Sequence, residues 1–217
     1  MSESSAAVPQ RHIIFDFGGV LFDWRPAALL AKVLPDRAST DDLAEHWKAQ
    51  FFQGYEGEWG AFDSGLIEVP DLVTGIAART GLSEDEVQRV VDAVPPALQP
   101  LPATVALLQR LKEAGHRLFF LSNMPAPYAD YLEQNHPELL GHFEDGVFSA
   151  RVKVGKPKAA IFDIALRQFG VEAGHGLFID DHPANIDTAH ALGLPAHLFT
   201  SAGRLEATLV ERGLLVD

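Results

Sequence analysis

Polar side chains stand at the ends of four short segments of this chain: Asp16, Ser122 with Asn123, Lys156, and Asp180 with Asp181. Taken singly, each has an ordinary use as a helix cap, a turn residue or a solvated surface charge. Their order along the chain and their placement at strand ends carry the signal. A carboxylate such as Asp16 can act as a nucleophile and divide a difficult hydrolysis into two easier displacements. If the atom attacked is the phosphorus of a phosphate, two like charges must meet, and the site needs cations. Lys156 supplies one. Asp180 and Asp181, with Asn185 one turn further on, suit Mg²⁺, which takes hard oxygen ligands and usually only one or two carboxylates. The Ser122 hydroxyl and the Asn123 segment, with backbone N–H groups behind them, can hold phosphoryl oxygens. Lys153 and Lys158 flank Lys156 and are expected to be solvated.

Convergence of these groups requires a particular scaffold. His12 to Phe17 is a short apolar run closed by Gly18-Gly19, and reads as a buried strand. Arg117 to Leu121 and Gly176 to Ile179 read the same way, with Val147-Phe148 and Ala196 to Phe199 as weaker strands. Helical spacing runs over Ala103 to Ala114, Lys158 to Phe169 and Pro183 to Leu192, each stopped by or just before a glycine. Strand and helix in alternation predict an α/β fold: a Rossmann-like parallel sheet with helices on both faces. In such a sheet, ligands bind beyond the carboxyl ends of the strands, where all the polar groups above are expected.

The interval from Trp24 to Pro100 differs. It carries helix signals and no convincing strand. Ser83 and Glu86 form a capping box that opens a helix through Ala93, Thr40-Asp41 opens another through about Phe52, and Pro95-Pro96 punctuates the return. The expected organisation is an α/β core formed by residues 1–23 and 101–217, with residues 24–100 as a small helical cap inserted after the first strand. The segment from Gln53 to Gly60 reads as a turn between cap helices with Trp59 packed inside. A loop over the site that selects the substrate is the alternative.

Composition narrows the partners. Net charge is −13 with His neutral, so nucleic-acid phosphates and anionic membranes are repelled. The chain has no cysteine, which excludes a thiol nucleophile, a disulfide framework and thiolate-bound zinc. Met1 to Gln10 lacks the basic start and apolar stretch of a signal peptide, and no apolar run reaches membrane-spanning length. The expectation is a soluble, cytoplasmic protein acting on a small phosphorylated metabolite.

Phe15-Asp16-Phe17-Gly18-Gly19-Val20-Leu21, Leu121-Ser122-Asn123, Gly155-Lys156-Pro157 and Phe178-Ile179-Asp180-Asp181 with Asn185 together resemble the signature motifs of the haloacid-dehalogenase-like hydrolases. The resemblance spans nearly the whole chain in the right order. It implies that Asp16 is the nucleophile and that the Gly18 carbonyl joins Asp16, Asp180 and Asp181 around Mg²⁺. It further implies that Ser122 and Lys156 hold phosphate and that the insert is a cap. The chain departs from the pattern at one point. Most phosphatases of the family carry a second Asp, the general acid and base, where this chain has Gly18. In this the chain resembles the branch that includes bacterial glucose-1-phosphate phosphatase, which implies a sugar phosphate or another ester with an easy leaving group. General acid catalysis contributes about 10²–10⁴-fold, so its loss matters. Asp23, Glu56 and Glu58 are candidates to replace it.

Two other functions fit part of the pattern. A 2-haloacid dehalogenase uses the same Asp nucleophile on carbon but needs no metal, and the acidic pair argues against it. A catalytically silent binding protein on this scaffold is opposed by the integrity of the other motifs. Asp16-Phe17-Gly18 spells a kinase signature at the wrong end of the chain, and Gly174-His175-Gly176 precedes a strand, so neither marks a nucleotide site. Among the histidines, His182 alone stands beside the acidic pair.

Overall fold

The computed structural model describes residues 12–216; the reading of Met1 to Gln10 lies outside them. Five parallel strands form one sheet: β1 (His12–Phe15), β2 (Arg117–Ser122), β3 (Asp145–Phe148), β4 (Gly176–Asp180) and β5 (Ala196–Leu198). Their order is β3-β2-β1-β4-β5. The chain enters at the centre, builds outward to one edge, then crosses back and builds toward the other. The switch point lies between β1 and β4, where a doubly wound sheet opens its binding crevice.

The register explains why the strands lack a polar face. Ile13 pairs with Leu118 and Leu177, while Ile14 pairs with Phe119 and Phe178. Side chains alternate between faces along each strand, and both faces are covered, so the inner positions of β1, β2 and β4 are apolar on both sides. Ile13, Phe15, Phe120 and Ile179 join one core with α6 (Pro102–Glu113) and α12 (Ala202–Glu211). Ile14, Phe119 and Phe178 join a second core with α10 (Ala159–Phe169) and α11 (Pro183–Ala191). There Phe119 stacks on Phe169 with ring centroids 4.5 Å apart. Between β2 and β3 lie α7 (Ala126–Asn135) and α8 (Pro137–Leu140); α9 (Ser149–Val152) follows β3 directly.

Between β1 and α6 lie five α-helices: α1 (Pro26–Val33), α2 (Asp41–Phe52), α3 (Gly57–Asp63), α4 (Val69–Thr80) and α5 (Glu84–Ala97). Their buried residues, among them Leu30, Phe51, Trp59, Ile76 and Val90, belong to the same core as Phe15 and Phe120. The inserted helices and that sheet face share one apolar interior.

Thr40 caps α2 through a bond from the Leu43 N–H, and the Ser83–Glu86 capping box opens α5, both as the sequence predicts. The end of α5 differs from expectation. The helix runs through Pro95 and Pro96 to Ala97. The diproline occupies the last turn, where proline's fixed φ is already helical and little helix remains to be broken.

Candidate active site

Asp16 follows β1 and is held in place by its neighbours. Phe15 and Phe17 on either side are fully buried. Phe17 packs against Phe120 at 4.7 Å and Phe22 at 5.3 Å. The Asp16 N–H bonds to the Ile179 carbonyl at 2.9 Å, which ties the loop after β1 to β4. The Phe17 carbonyl then accepts from Leu21 and Phe22 at 2.8 Å each, closing a tight turn. Gly19 lies in this turn with φ +74°, and a Cβ there would fall 2.8 Å from the carboxyl carbon of Asp181 and closer still to its oxygen. Both the backbone angle and the approach of Asp181 require glycine.

Lys156 sits at the centre of the cluster, with a side chain only 1% exposed. Its ammonium reaches Asp16 Oδ1 at 2.8 Å, Asp180 Oδ2 at 2.7 Å and the Leu121 carbonyl at 2.9 Å. These three contacts match the three hydrogens of the group. Burial works against the charge, but Asp16 and Asp180 outweigh it and raise the Lys156 pKa. The lysine stays charged.

Asp180 closes β4 and is fully buried. Asn185 donates to both of its oxygens at 2.9 and 3.0 Å, and the His182 N–H donates to Oδ1 at 2.8 Å. Asp181 is the most open of the three acids and faces the cavity. One carboxylate oxygen from each of Asp16, Asp180 and Asp181 lies within 4.8 Å of the others. Burial, then the charges of Asp180 and Asp181 against that of Lys156, raises the Asp16 pKa to about 7. Partial burial and Asp180 raise that of Asp181. Three clustered carboxylates facing one lysine form a site short of positive charge, and hard oxygen donors at this spacing fit a small divalent cation.

Ser122 and Asn123 end β2 in different situations. The Ser122 hydroxyl is buried and has no hydrogen-bond partner among the described residues. The Asn123 amide is engaged at both ends: it accepts from the Lys156 N–H at 2.8 Å and donates to the Lys156 carbonyl at 2.9 Å. Gly18 and His182 both line the cavity.

That cavity has a volume of about 320 Å³. Asp16, Lys156 and Asp181 form its polar floor. Its wall is aromatic and apolar, made by Trp24, Tyr55, Trp59, Leu98, Met124 and Tyr128. The Trp24 indole N–H donates to the Tyr55 hydroxyl at 2.9 Å. Trp59 is packed inside, as expected of the Gln53 to Gly60 segment, but Gly54, Tyr55 and Glu56 line the cavity as well. The segment therefore both packs Trp59 and borders the cavity.

The inserted helices contribute one group that no motif marks. Asp63, the last residue of α3, is 6% exposed and lines the cavity. Burial, then the charge of Asp16, raises its pKa to about 8 against the pull of Lys156. Its one sequence signal is its spacing: Asp63 lies four residues after the buried Trp59, on the same helix face. Of the acids considered in its place, Asp23 pairs with Arg25 at 2.8 Å and Glu58 with Arg79 at 3.0 Å, while Glu56 is exposed at the cavity rim.

The model of the haloacid dehalogenase-like hydrolase family matches residues 10–193. The chain belongs to this family. It is 28% identical over 182 residues to the sesquiterpene phosphatase astK of Aspergillus oryzae, covering 83% of this chain and 85% of that protein. The fold is similar to that of the family enzyme bt-2542 of Bacteroides thetaiotaomicron (TM-score 0.70, 21% identity, 93% and 98% of the two chains), which has also been solved with magnesium and inorganic phosphate. It is similar as well to L-2-haloacid dehalogenase from Xanthobacter autotrophicus (TM-score 0.65, 19% identity, 93% and 83% covered). Among the described residues no helix is long and apolar enough to cross a membrane.

Proposed function

We propose that this protein is a Mg²⁺-dependent phosphatase that hydrolyses a small phosphate monoester through an aspartyl-phosphate on Asp16. The observation that carries the reading is the Lys156 ammonium held between Asp16 and Asp180, with Asp181 beside them. A site for attack on neutral carbon has no need of three clustered acids, so the geometry favours phosphorus over a haloacid.

Lys156 orients Asp16 Oδ1 and offsets the charge that gathers when a carboxylate approaches a phosphate. Asp16, Asp180, Asp181 and the Gly18 carbonyl would hold Mg²⁺. When bound, the ion screens the phosphate and draws charge from its oxygens. Asn185, the His182 N–H and Lys156 fix the orientation of the Asp180 carboxylate beside that site. The unpartnered Ser122 hydroxyl is a ready donor to a phosphoryl oxygen, and Asn123 locks the Lys156 turn. Residues 24–100 act as a cap whose inner wall contacts the organic part of the substrate. That wall is aromatic and apolar, and the relative in Aspergillus oryzae is a sesquiterpene phosphatase. Both favour an aryl or prenyl group over the sugar phosphate suggested by the Gly18 departure.

The test is phosphate release from p-nitrophenyl phosphate, farnesyl phosphate and glucose 1-phosphate, with Mg²⁺ or with EDTA, using Asp16→Asn as control. Release that requires Mg²⁺ and disappears in the variant supports the reading. Release unaffected by Asp16→Asn overturns it. A preference for glucose 1-phosphate over the farnesyl ester overturns the assignment of the wall.

A further inference from the structure

The structure leaves the phosphatase reading one group short. A leaving alkoxide needs a proton, and Gly18 has no side chain to supply it. The vacancy is not enforced by crowding, because a Cβ on Gly18 would meet Trp24 atoms at an ordinary 3.8 Å. Another acid must face the cavity.

Asp63 does so from the inserted helices, and its backbone is anchored to the sheet. The Ser149 hydroxyl, at the end of β3, donates to the Asp63 carbonyl. The same hydroxyl accepts from the Met124 N–H at 2.9 Å. Lys153 holds the Gly65 carbonyl at 2.6 Å. Phe62 meets Tyr128 edge-on at 5.5 Å. The end of α3 is therefore fixed against the segment that follows β2, close to Ser122 and Asn123. Among the described residues no group donates a hydrogen bond to the Asp63 carboxyl. The carboxyl lines the cavity, where it can meet a ligand.

We infer that Asp63 is the acid–base residue of this site, reaching the ester from the inserted helices in place of the side chain absent at Gly18. The inference rests on the phosphatase reading above. In the first displacement an Asp16 oxygen forms a bond to phosphorus and the ester P–O bond breaks. The Asp63 carboxyl gives its proton to the departing oxygen, which leaves as the alcohol. In the second, the Asp63 carboxylate takes a proton from water as the water oxygen bonds to phosphorus. The Asp16–phosphorus bond breaks, inorganic phosphate leaves, and both acids return to their starting states. Burial raises the Asp63 pKa, which favours the protonated form that the first step needs.

The experiment compares two esters in wild type, Asp63→Asn and Asp63→Ser, with circular dichroism to confirm folding. p-Nitrophenolate leaves without a proton; 2-phenylethoxide does not. In Asp63→Asn, a burst of p-nitrophenolate stoichiometric with enzyme should survive, followed by slow turnover because the second step has lost its base. Single-turnover cleavage of 2-phenylethyl phosphate should fall by about 10²–10⁴-fold. Equal losses on both esters in single turnover, or no loss on either, would overturn the assignment. In those outcomes wild type still releases phosphate and Asp16→Asn does not. If Asp16→Asn behaves like wild type, the phosphatase reading itself has failed and the assignment falls with it.

Discussion

Replacing Lys156 by methionine tests the electrostatic design of the site. The two side chains have similar length and volume, so the change removes charge and leaves packing nearly intact. It strands Asp16 and Asp180, which lose partners at 2.8 and 2.7 Å in a largely buried setting. Breaking a buried ion pair by removing one partner costs about 3–5 kcal/mol. For a chain of this size each kcal/mol moves Tm by roughly 2–4 °C, so a fall of about 6–20 °C is expected. The assay is thermal unfolding at pH 8 in EDTA. The deficit should shrink at pH 5, because Asp16 takes up a proton there and the repulsion between the stranded acids is relieved. Mg²⁺ at pH 8 should also recover part of it, since the ion restores positive charge between the same carboxylates. A variant as stable as wild type at pH 8 without metal would refute the account.

Asp63 links catalysis to stability. Its pKa rises on folding from the ordinary 3.8 to about 8. The unfolded chain therefore ionises it first, and stability falls as pH rises between these values, then levels off. Asp63→Asn should remove that slope, so its Tm relative to wild type should climb steadily from pH 4 to pH 8. Saturating Mg²⁺ should raise the wild-type Tm, since a ligand at about 100 times its Kd adds roughly 2.7 kcal/mol, and Asp181→Asn should lose most of that shift. Gly19→Ala should weaken the Mg²⁺ response without touching a charge, because its Cβ displaces the Asp181 carboxylate; an unaltered response would contradict the steric account. Ser149→Ala leaves the Met124 N–H unpaired in a buried position, and denaturant unfolding should show a loss of about 1–3 kcal/mol.

The parallel sheet was legible in the sequence because its strands are continuous apolar runs closed by glycine or acids, a pattern that two covered faces impose. Residues at those closures, Asp16, Ser122, Asp180 and Asp181, were legible for the same reason: topology alone brings strand ends together. Lys156 stands in the same cluster although no strand ends at it; its Gly-Lys-Pro setting marks the turn before α10. Asp63 was not legible. It belongs to no motif, and it reaches the cavity because α3 packs beside α9, a contact between residues far apart in the chain. Glu56 and Glu58 stood out in the sequence as acids near glycines and aromatics, yet Arg79 neutralises one and solvent surrounds the other. The end of α5 was misjudged because two prolines read as a stop, whereas a helix already in its last turn tolerates them.

The interior shared by the inserted helices and the sheet limits how this enzyme can breathe. A cap with its own core can swing on two linkers as a rigid plate. Here such a swing would tear Phe51, Trp59 and Val90 from the core that holds Phe15 and Phe120, and would break the Ser149 bond to Asp63. Any local give is better sought at the cavity border from Gln53 to Glu56, where three successive residues take left-handed backbone angles and the Tyr55 hydroxyl is held by the Trp24 indole.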